Sequence, residues 1–292
     1  MKDPNLFIVG APKCGTTALV YYLKSHPDVF MSNPKEPLYF MDERDPFKKI
    51  TDWRHYRSLF KNADNFSIVG EASVWYLYSS TAMRRIKNTF PNSKIIIMTR
   101  EPVGFVTSLH SQLVFAGYEH EDIENAWRRE KCRLEQIDVD KLPTIEFLPY
   151  WRRAYPELAR HIKYAIKWKN LFGEENVLII DLSELKENPR GVYQRILSFL
   201  NIKDDGRTDF PIINANKTHR SKVIGKILNW IQYNKLLVDF ARKIKSSLGI
   251  GTLGIYAWLK KLNTKKIHRK PISYTLKLDI LKTVQENSYG YV

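Results

Sequence analysis

The chain has 292 residues, of which 43% are hydrophobic and 27% charged, and this composition suits a folded globular protein. No apolar run approaches the ~18 residues of a membrane-spanning helix, which argues against an integral membrane protein. The two cysteines, Cys14 and Cys132, provide no disulfide framework, and no secretory signal is apparent at the start. A cytoplasmic location is therefore expected.

Strand-like and helix-like segments alternate along the chain, which is typical of an α/β fold with a parallel sheet. Short apolar runs predict buried strands, which are expected at 6–9, 95–98 and 177–180, with a shorter one at 68–69. Apolar residues at helical spacing predict helices, which are expected at 17–25, 81–90, 103–115, 156–171 and 190–200.

The positive charge is concentrated late in the chain. Residues 217–270 contain fourteen Lys and Arg against one acid, Asp239, which gives +13 of the total charge of +16. Such a field attracts an acidic polysaccharide, an anionic membrane surface or nucleic acid, although a solvated basic face explains it equally well. We expect residues 223–292 to form a basic, mostly helical region that packs on or extends the domain formed by residues 1–222.

The segment Gly10–Thr17, with the sequence GAPKCGTT, joins the first predicted strand to the first predicted helix. Glycines let the backbone curl so that several N–H groups point at one anion, and the helix start adds the positive end of its dipole. The pattern differs from an ATP-binding P-loop, because Thr16 follows the second glycine and the lysine comes earlier, at Lys13. The loop predicts a phosphate site. A magnesium-dependent nucleotide kinase, with Asp181 as metal ligand, is an alternative that the displaced lysine disfavours.

Residues 12–19, PKCGTTAL, resemble the 5′-phosphosulfate loop of the sulfotransferases that use 3′-phosphoadenosine 5′-phosphosulfate (PAPS). The resemblance implies that Lys13 contacts the oxygen between phosphate and sulfur, where it would neutralise charge on the leaving phosphate. It also assigns the binding of the 5′-phosphosulfate to the loop, through Lys13, Cys14, Gly15, Thr16, Thr17 and Ala18.

Arg100 follows the predicted strand 95–98, and Ser108 comes eight residues later, about two helical turns into the next helix. The guanidinium fork suits a doubly charged phosphate, and ligands bind at the carboxyl ends of parallel strands. The pair is similar to the 3′-phosphate motif of the same family, whereas a surface salt bridge with Glu101 is the alternative interpretation. The basic segment 214–222 resembles the loop that closes over the nucleotide, which adds Lys217 and Arg220 to the residues expected to bind PAPS. The alternative is that these residues simply begin the basic C-terminal region.

Residues 33–40, NPKEPLYF, resemble the stretch that carries the catalytic glutamate in carbohydrate sulfotransferases of the heparan sulfate type, which assigns the role of base to Glu36. A loop carboxylate that merely pairs with Lys35 is the alternative. His110 is a rival base, because the cytosolic branch of the family uses a histidine. Glu71 is the other rival. It begins a Glu-Ala-Ser segment that resembles the family's Glu-Lys-Ser motif, with Ala72 in place of the lysine that assists the chemistry.

Residues 52–60, DWRHYRSLF, also resemble the family and supply two candidates for the acceptor cleft. Trp53 could stack on a sugar ring, and Arg57 could bind a sulfate or carboxylate group. Glu71 is a third candidate for contact with the acceptor. The departure at Ala72 leaves the acceptor class open.

The resemblance covers residues 5–222 and implies a PAPS-binding sulfotransferase domain over residues 1–222. The expected fold is α/β and P-loop-like, with three layers: a central parallel sheet with helices on both faces. The expected reaction moves a sulfuryl group from PAPS to an acceptor hydroxyl, leaves 3′-phosphoadenosine 5′-phosphate (PAP) and needs no metal. A carbohydrate is the favoured acceptor, with a lipid or small-molecule hydroxyl as the alternative.

The basic C-terminal region adds two expectations about partners. It would suit a polyanionic acceptor, and it would suit peripheral contact with an anionic membrane. Nucleic acid is the less favoured partner.

Overall fold

The computed structural model describes residues 2–48, 50–142, 144–148, 150–213, 217–219, 221, 224, 262–266 and 271–285. Five parallel strands form one sheet in the order β2-β3-β1-β4-β5. They are β1 (Leu6–Gly10), β2 (Val29–Met31), β3 (Ile68–Ala72), β4 (Lys94–Thr99) and β5 (Val177–Asp181). A separate antiparallel ribbon joins β6 (Lys217–His219) to β7 (Thr264–Lys266).

Helices surround the five-stranded sheet, which confirms the predicted α/β three-layer fold. They are α1 (Thr16–Lys24), α2 (Trp53–Ser58), α3 (Ser80–Thr89), α4 (Pro102–Ala116), α5 (Ile123–Glu135), α6 (Tyr155–Leu158), α7 (His161–Phe172), α8 (Leu182–Glu187), α9 (Pro189–Phe199) and α10 (Tyr274–Gln285). Short 3₁₀ turns lie at Tyr76–Tyr78, Val139–Lys141, Ile145–Phe147, Trp151–Arg153 and Glu174–Asn176.

The central strand β1 fixes the position of the site. All five of its residues are buried, and so are five of the six in β4, as parallel strands covered on both faces require. The chain leaves β1 towards the β2 edge and leaves β4 towards the β5 edge. The carboxyl ends of β1 and β4 therefore form the topological switch point, where ligands bind in open α/β sheets.

Local signals set the starts of the helices. The Ser79 side chain accepts a hydrogen bond from the Ala82 N–H at 2.8 Å and begins α3. Pro102 is the first residue of α4, which ends at Gly117 with a left-handed φ of 78°. The prediction of a single helix at 156–171 is wrong, because the chain turns after α6 and a second helix, α7, begins at His161.

Helix α10 lies in the basic C-terminal region and packs on α4 and α6. Its residues Leu276 and Ile280, one turn apart, are buried. The Asp279 carboxylate accepts a hydrogen bond from the buried Trp127 indole N–H at 2.7 Å and pairs with Lys131 at 2.6 Å. This part of the region is therefore built onto the main core, and most of residues 223–292 lie outside the described ranges. Within those ranges, no helix has both the length and the hydropathy needed to cross a bilayer.

The contacts of Asp279 with Trp127 and Lys131 predict how substitutions at Asp279 change the unfolding free energy. Asp279→Ala leaves the Trp127 N–H buried without an acceptor, which should cost ~1–3 kcal/mol of unfolding free energy. Asp279→Asn keeps an acceptor and loses only the charge facing Lys131. Those two side chains are 33% and 36% exposed, so we expect a loss below ~1 kcal/mol. Urea unfolding measures both losses, and equal losses in the two variants would contradict the assignment.

Candidate active site

The loop after β1 has the curled backbone that an anion site requires. Lys13 and Gly15 both adopt left-handed conformations, with φ of 66° and 88°, and α1 begins immediately afterwards at Thr16. A Cβ at Gly15 would lie 2.7 Å from the Cδ1 atom of Leu182, and the left-handed φ would strain any residue that carries a side chain. Alternating backbone handedness followed by a helix N-terminus directs N–H groups towards one point, as a bound phosphate requires.

The side chains of the loop divide into buried and accessible groups. Cys14 is fully buried, and this burial raises the pKa of its thiol well above the ordinary range. Its side chain therefore packs in the core, and only its backbone remains a candidate for donor binding. Thr16 is 4% exposed, whereas Thr17 and Ala18 are partly exposed. The Lys13 ammonium reaches across the crevice and donates to Gln112 of α4 at 3.1 Å.

Arg100 directly follows β4 and meets the first loop. Its guanidinium donates to the Lys13 carbonyl at 3.3 Å. It also lies against the first turn of α4, because a Cβ at Gly104 would be 2.8 Å from its Nη2 atom. The salt bridge with Glu101, which was the alternative interpretation, is long, at 4.0 Å, and Glu101 is 64% exposed. The structure thus brings the two sequence-predicted phosphate segments into direct contact.

Ser108, the second predicted 3′-phosphate ligand, lies on α4 and is buried, and its contact with a phosphate stays a prediction. His161, which the sequence did not indicate, accepts a hydrogen bond from the Arg100 N–H at 3.2 Å. Burial lowers the pKa of His161 to about 4, so at neutral pH the ring is uncharged and its Nε2 can act as this acceptor. His161 thereby fixes the backbone from which the Arg100 side chain extends.

Glu36 lies at the carboxyl end of β3, the strand beside β1. We call residues 32–41 the acceptor loop. The Glu36 N–H donates to the Ala72 carbonyl at 2.9 Å, and its backbone is left-handed with φ of 64°. One carboxylate oxygen accepts from the Val74 N–H at 3.0 Å, and the other pairs with the Lys35 ammonium at 2.5 Å. The side chain is 30% exposed, so it is fixed in position yet accessible.

Glu71 is fully buried on β3 and does not contact solvent. Its carboxylate accepts from the hydroxyls of Tyr56 at 2.7 Å and Ser73 at 2.6 Å. Burial raises the pKa of Glu71 to about 7, although these hydroxyls and that of Tyr76 oppose the rise. Both Glu71 oxygens are thus hydrogen-bonded inside the core, beneath the acceptor loop, and the contact of Glu71 with an acceptor stays a prediction.

Arg57 and Trp53, the other two acceptor candidates, lie in different surroundings. Arg57 pairs with Asp3 at 3.0 Å, and Asp3 precedes β1, at the edge of the sheet opposite the phosphate loop. The role of Arg57 in the acceptor cleft stays a prediction. Trp53 is 37% exposed and stacks on Tyr56 at the outer side of an aromatic cluster. Its contact with an acceptor stays a prediction.

The remaining candidates are occupied or lie outside the described residues. The His110 ring contacts the Glu121 carbonyl at 3.0 Å, and burial lowers its pKa. Asp181, the kinase's expected metal ligand, caps α8 and accepts a hydrogen bond from Thr99 at 2.9 Å. In the described ranges, no three His, Cys, Asp or Glu residues form a metal-binding group. Arg220 and the side chain of Lys217 lie outside the described residues, so their roles stay predictions.

Comparisons with known proteins show what the chain resembles in sequence. Residues 3–215 match the family described as a sulfotransferase domain. Human carbohydrate sulfotransferase 15 is 24% identical, over 84% of this chain and 52% of its own length. The bifunctional heparan sulfate N-deacetylase/N-sulfotransferase 1 of Xenopus laevis is 27% identical, over 69% of this chain and 22% of its own length. The chain thus spans about half or less of these relatives.

A solved structure extends the match to three dimensions. The sulfotransferase from Alicyclobacillus acidocaldarius is 25% identical and superposes with a TM-score of 0.63. The alignment covers 88% of this chain and 100% of that one. The three-layer sheet and helices are therefore shared with a solved sulfotransferase.

The buried Glu71 predicts a pH-dependent stability. Its pKa is higher in the folded chain, at about 7, than its ordinary value of 4.5. The folded state therefore binds the extra proton between these values, and stability should fall by up to ~3 kcal/mol as the pH rises from about 4.5 to 7. Glu71→Gln should flatten this slope, whereas Glu135→Gln, an exposed control, should retain it. Unfolding at several pH values tests this, and an unchanged slope in Glu71→Gln would contradict it.

Proposed function

The chain belongs to the sulfotransferase domain family, and on that premise we propose that it transfers a sulfuryl group from PAPS to a hydroxyl of a carbohydrate acceptor. One observation carries the proposal: Arg100 contacts the carbonyl of Lys13, at 3.3 Å, in the phosphate loop. PAPS carries a 5′-phosphosulfate and a 3′-phosphate on one nucleoside, so the two anion sites must adjoin. ATP has no 3′-phosphate, so it offers Arg100 no phosphate to bind beside the loop.

The residues at the switch point fit this donor. The amides after Gly15 and the hydroxyls of Thr16 and Thr17 would hold the 5′-phosphosulfate. Arg100 would hold the 3′-phosphate, with Ser108 as a further donor. The Arg100 side chain is 15% exposed, so its charge is only partly screened by solvent and attracts a phosphate more strongly than a surface arginine would.

The proposed reaction is a direct displacement at sulfur. The acceptor oxygen forms a bond to sulfur as the bond between sulfur and the bridging phosphate oxygen breaks. The hydroxyl proton passes to the Glu36 carboxylate, which the Lys35 and Val74 contacts hold in place. The Lys13 ammonium neutralises the charge that develops on the leaving phosphate. The products are a sulfate ester and PAP.

The choice of a carbohydrate acceptor has weaker support than the choice of donor. It rests on the resemblance of the acceptor loop and on two relatives named for carbohydrate or heparan sulfate sulfotransfer. A lipid or small-molecule hydroxyl remains the alternative acceptor. The expected cytoplasmic location and membrane contact stay predictions.

The role of Glu36 gives the test of this mechanism. Glu36→Gln cannot take the hydroxyl proton, so we expect kcat to fall by ~10²–10⁴ while the affinity for PAP is unchanged. The assay follows PAP formation from PAPS over a panel of sugar, lipid and phenol acceptors, with Glu135→Gln as a matched exposed control. Wild-type kcat in Glu36→Gln would contradict the assignment of the base. No PAP formation by the wild-type protein would contradict the proposed function.

A further inference from the structure

The acceptor loop keeps an unusual backbone conformation around the proposed base. Glu36 and Leu38 are both left-handed, with φ of 64° and 55°. Residues with side chains disfavour this conformation, which persists only where the surrounding structure fixes it. The Ala72 carbonyl and the Val74 N–H hold Glu36. Other contacts must therefore fix Leu38 and the residues that follow it.

Those contacts come from hydroxyl groups around the buried carboxylate of Glu71. The Ser73 hydroxyl accepts a hydrogen bond from the Leu38 N–H at 3.2 Å and donates to Glu71 at 2.6 Å. The Tyr76 hydroxyl accepts from the Phe40 N–H at 3.2 Å and also stabilises the charged form of Glu71. Leu38 and Phe40 are buried, so water does not easily replace these hydroxyls as acceptors.

A third hydroxyl links Glu71 to the residue between Leu38 and Phe40. Tyr56 donates to the second Glu71 oxygen at 2.7 Å. The Tyr56 ring stacks on that of Tyr39, with ring centroids 4.6 Å apart and an angle of 22° between the planes. One buried carboxylate is thus linked, each time through a single hydroxyl group, to three consecutive residues of the acceptor loop.

A carboxylate at position 71 determines how these hydroxyls point. Its oxygens only accept hydrogen bonds, so Ser73 and Tyr56 turn their single hydrogens towards it. The lone pairs of Ser73 then remain for the Leu38 N–H. An amide of the same size would present N–H groups to one of the two hydroxyls, and that hydroxyl would have to turn its hydrogen elsewhere.

We infer that Glu71 is a positioning residue for the proposed base: it orients the hydroxyls that fix residues 38–40, and the fixed loop directs the Glu36 carboxylate towards the acceptor. The inference rests on the proposed function, because it concerns the base of that reaction. It needs no contact between the acceptor and Glu71, which is fully buried. The proposed donor ligands follow β1 and β4, whereas Glu71 lies on β3, so the affinity for PAP should not depend on it.

Glu71→Gln tests the inference in the full chain, with PAPS and the sugar that reacts fastest in the acceptor panel. The assay is run at about pH 8, where the wild-type carboxylate is charged because its pKa is about 7. We expect kcat to fall about 10–100-fold, since a misplaced base slows the proton transfer. The dissociation constant of PAP, measured by calorimetry, should stay within about twofold of the wild-type value.

Two further variants complete the experiment. Tyr56→Phe keeps the ring beside Tyr39 and removes only the hydrogen bond to Glu71, so we expect kcat to fall about 3–10-fold with PAP binding unchanged. Asp279→Ala is the control, because it removes a buried hydrogen bond away from the acceptor loop. It should leave both kcat and PAP binding within about twofold of wild type.

PAP binding separates a misplaced base from an unfolded protein. The inference is overturned if Glu71→Gln binds PAP and keeps the wild-type kcat, including the case in which only KM for the acceptor rises, as a direct acceptor contact would predict. If Glu71→Gln loses PAP binding, Tyr56→Phe decides: a lower kcat with normal PAP binding supports the inference, and any other result overturns it. If the wild-type protein neither binds PAP nor forms it from PAPS, the proposed function itself fails.

Discussion

The pairing of β1 with β4 is the constraint on which the proposed donor site depends. Parallel pairing places the carboxyl ends of both strands at the same side of the sheet, so Lys13 of the phosphate loop and Arg100 meet there although they are 87 residues apart. The contact from the Arg100 guanidinium to the Lys13 carbonyl then joins the two segments directly. A slip in this register would separate the two anion sites and leave no place for a doubly phosphorylated nucleotide.

The acceptor side depends on β3 in the same way. The acceptor loop is tied to the end of β3 by the bond from the Glu36 N–H to Ala72, and Ser73 links that loop to the buried Glu71. Each Glu36 oxygen has one donor, from Lys35 or from Val74, and a carboxylate oxygen can accept two. Room therefore remains for an acceptor hydroxyl. Lys35 is a cation in direct contact with the proposed base. The Glu-Lys-Ser motif that residues 71–73 resemble has a lysine at the position of Ala72, which this chain lacks.

The sequence predicted which donor segments meet better than it predicted the surroundings of the acceptor candidates. The parallel sheet brings together the residues that closely follow its buried apolar strands, which include Lys13, Gly15 and Arg100. No knowledge of other tertiary contacts is needed to predict this. Arg57 and Glu71 have side chains that could bind an acceptor, but tertiary packing sets their surroundings. Arg57 pairs with Asp3, and Glu71 lies inside the core. His161 could not be found from local pattern, because its contact with Arg100 spans 61 residues. Arg152 was missed for the same reason, since it reaches Asp45 across 107 residues.

The measurement that tests the central claim most directly is a calorimetric titration of the wild-type protein and Arg100→Ala with PAP, adenosine 5′-phosphate and magnesium-ATP. If Arg100 binds a 3′-phosphate, the wild-type protein binds PAP far more tightly than adenosine 5′-phosphate, and Arg100→Ala binds the two alike. Equal affinities of the wild-type protein for PAP and adenosine 5′-phosphate, or a preference for magnesium-ATP, would contradict the account. Either result would indicate that the phosphate loop binds a nucleotide without a 3′-phosphate.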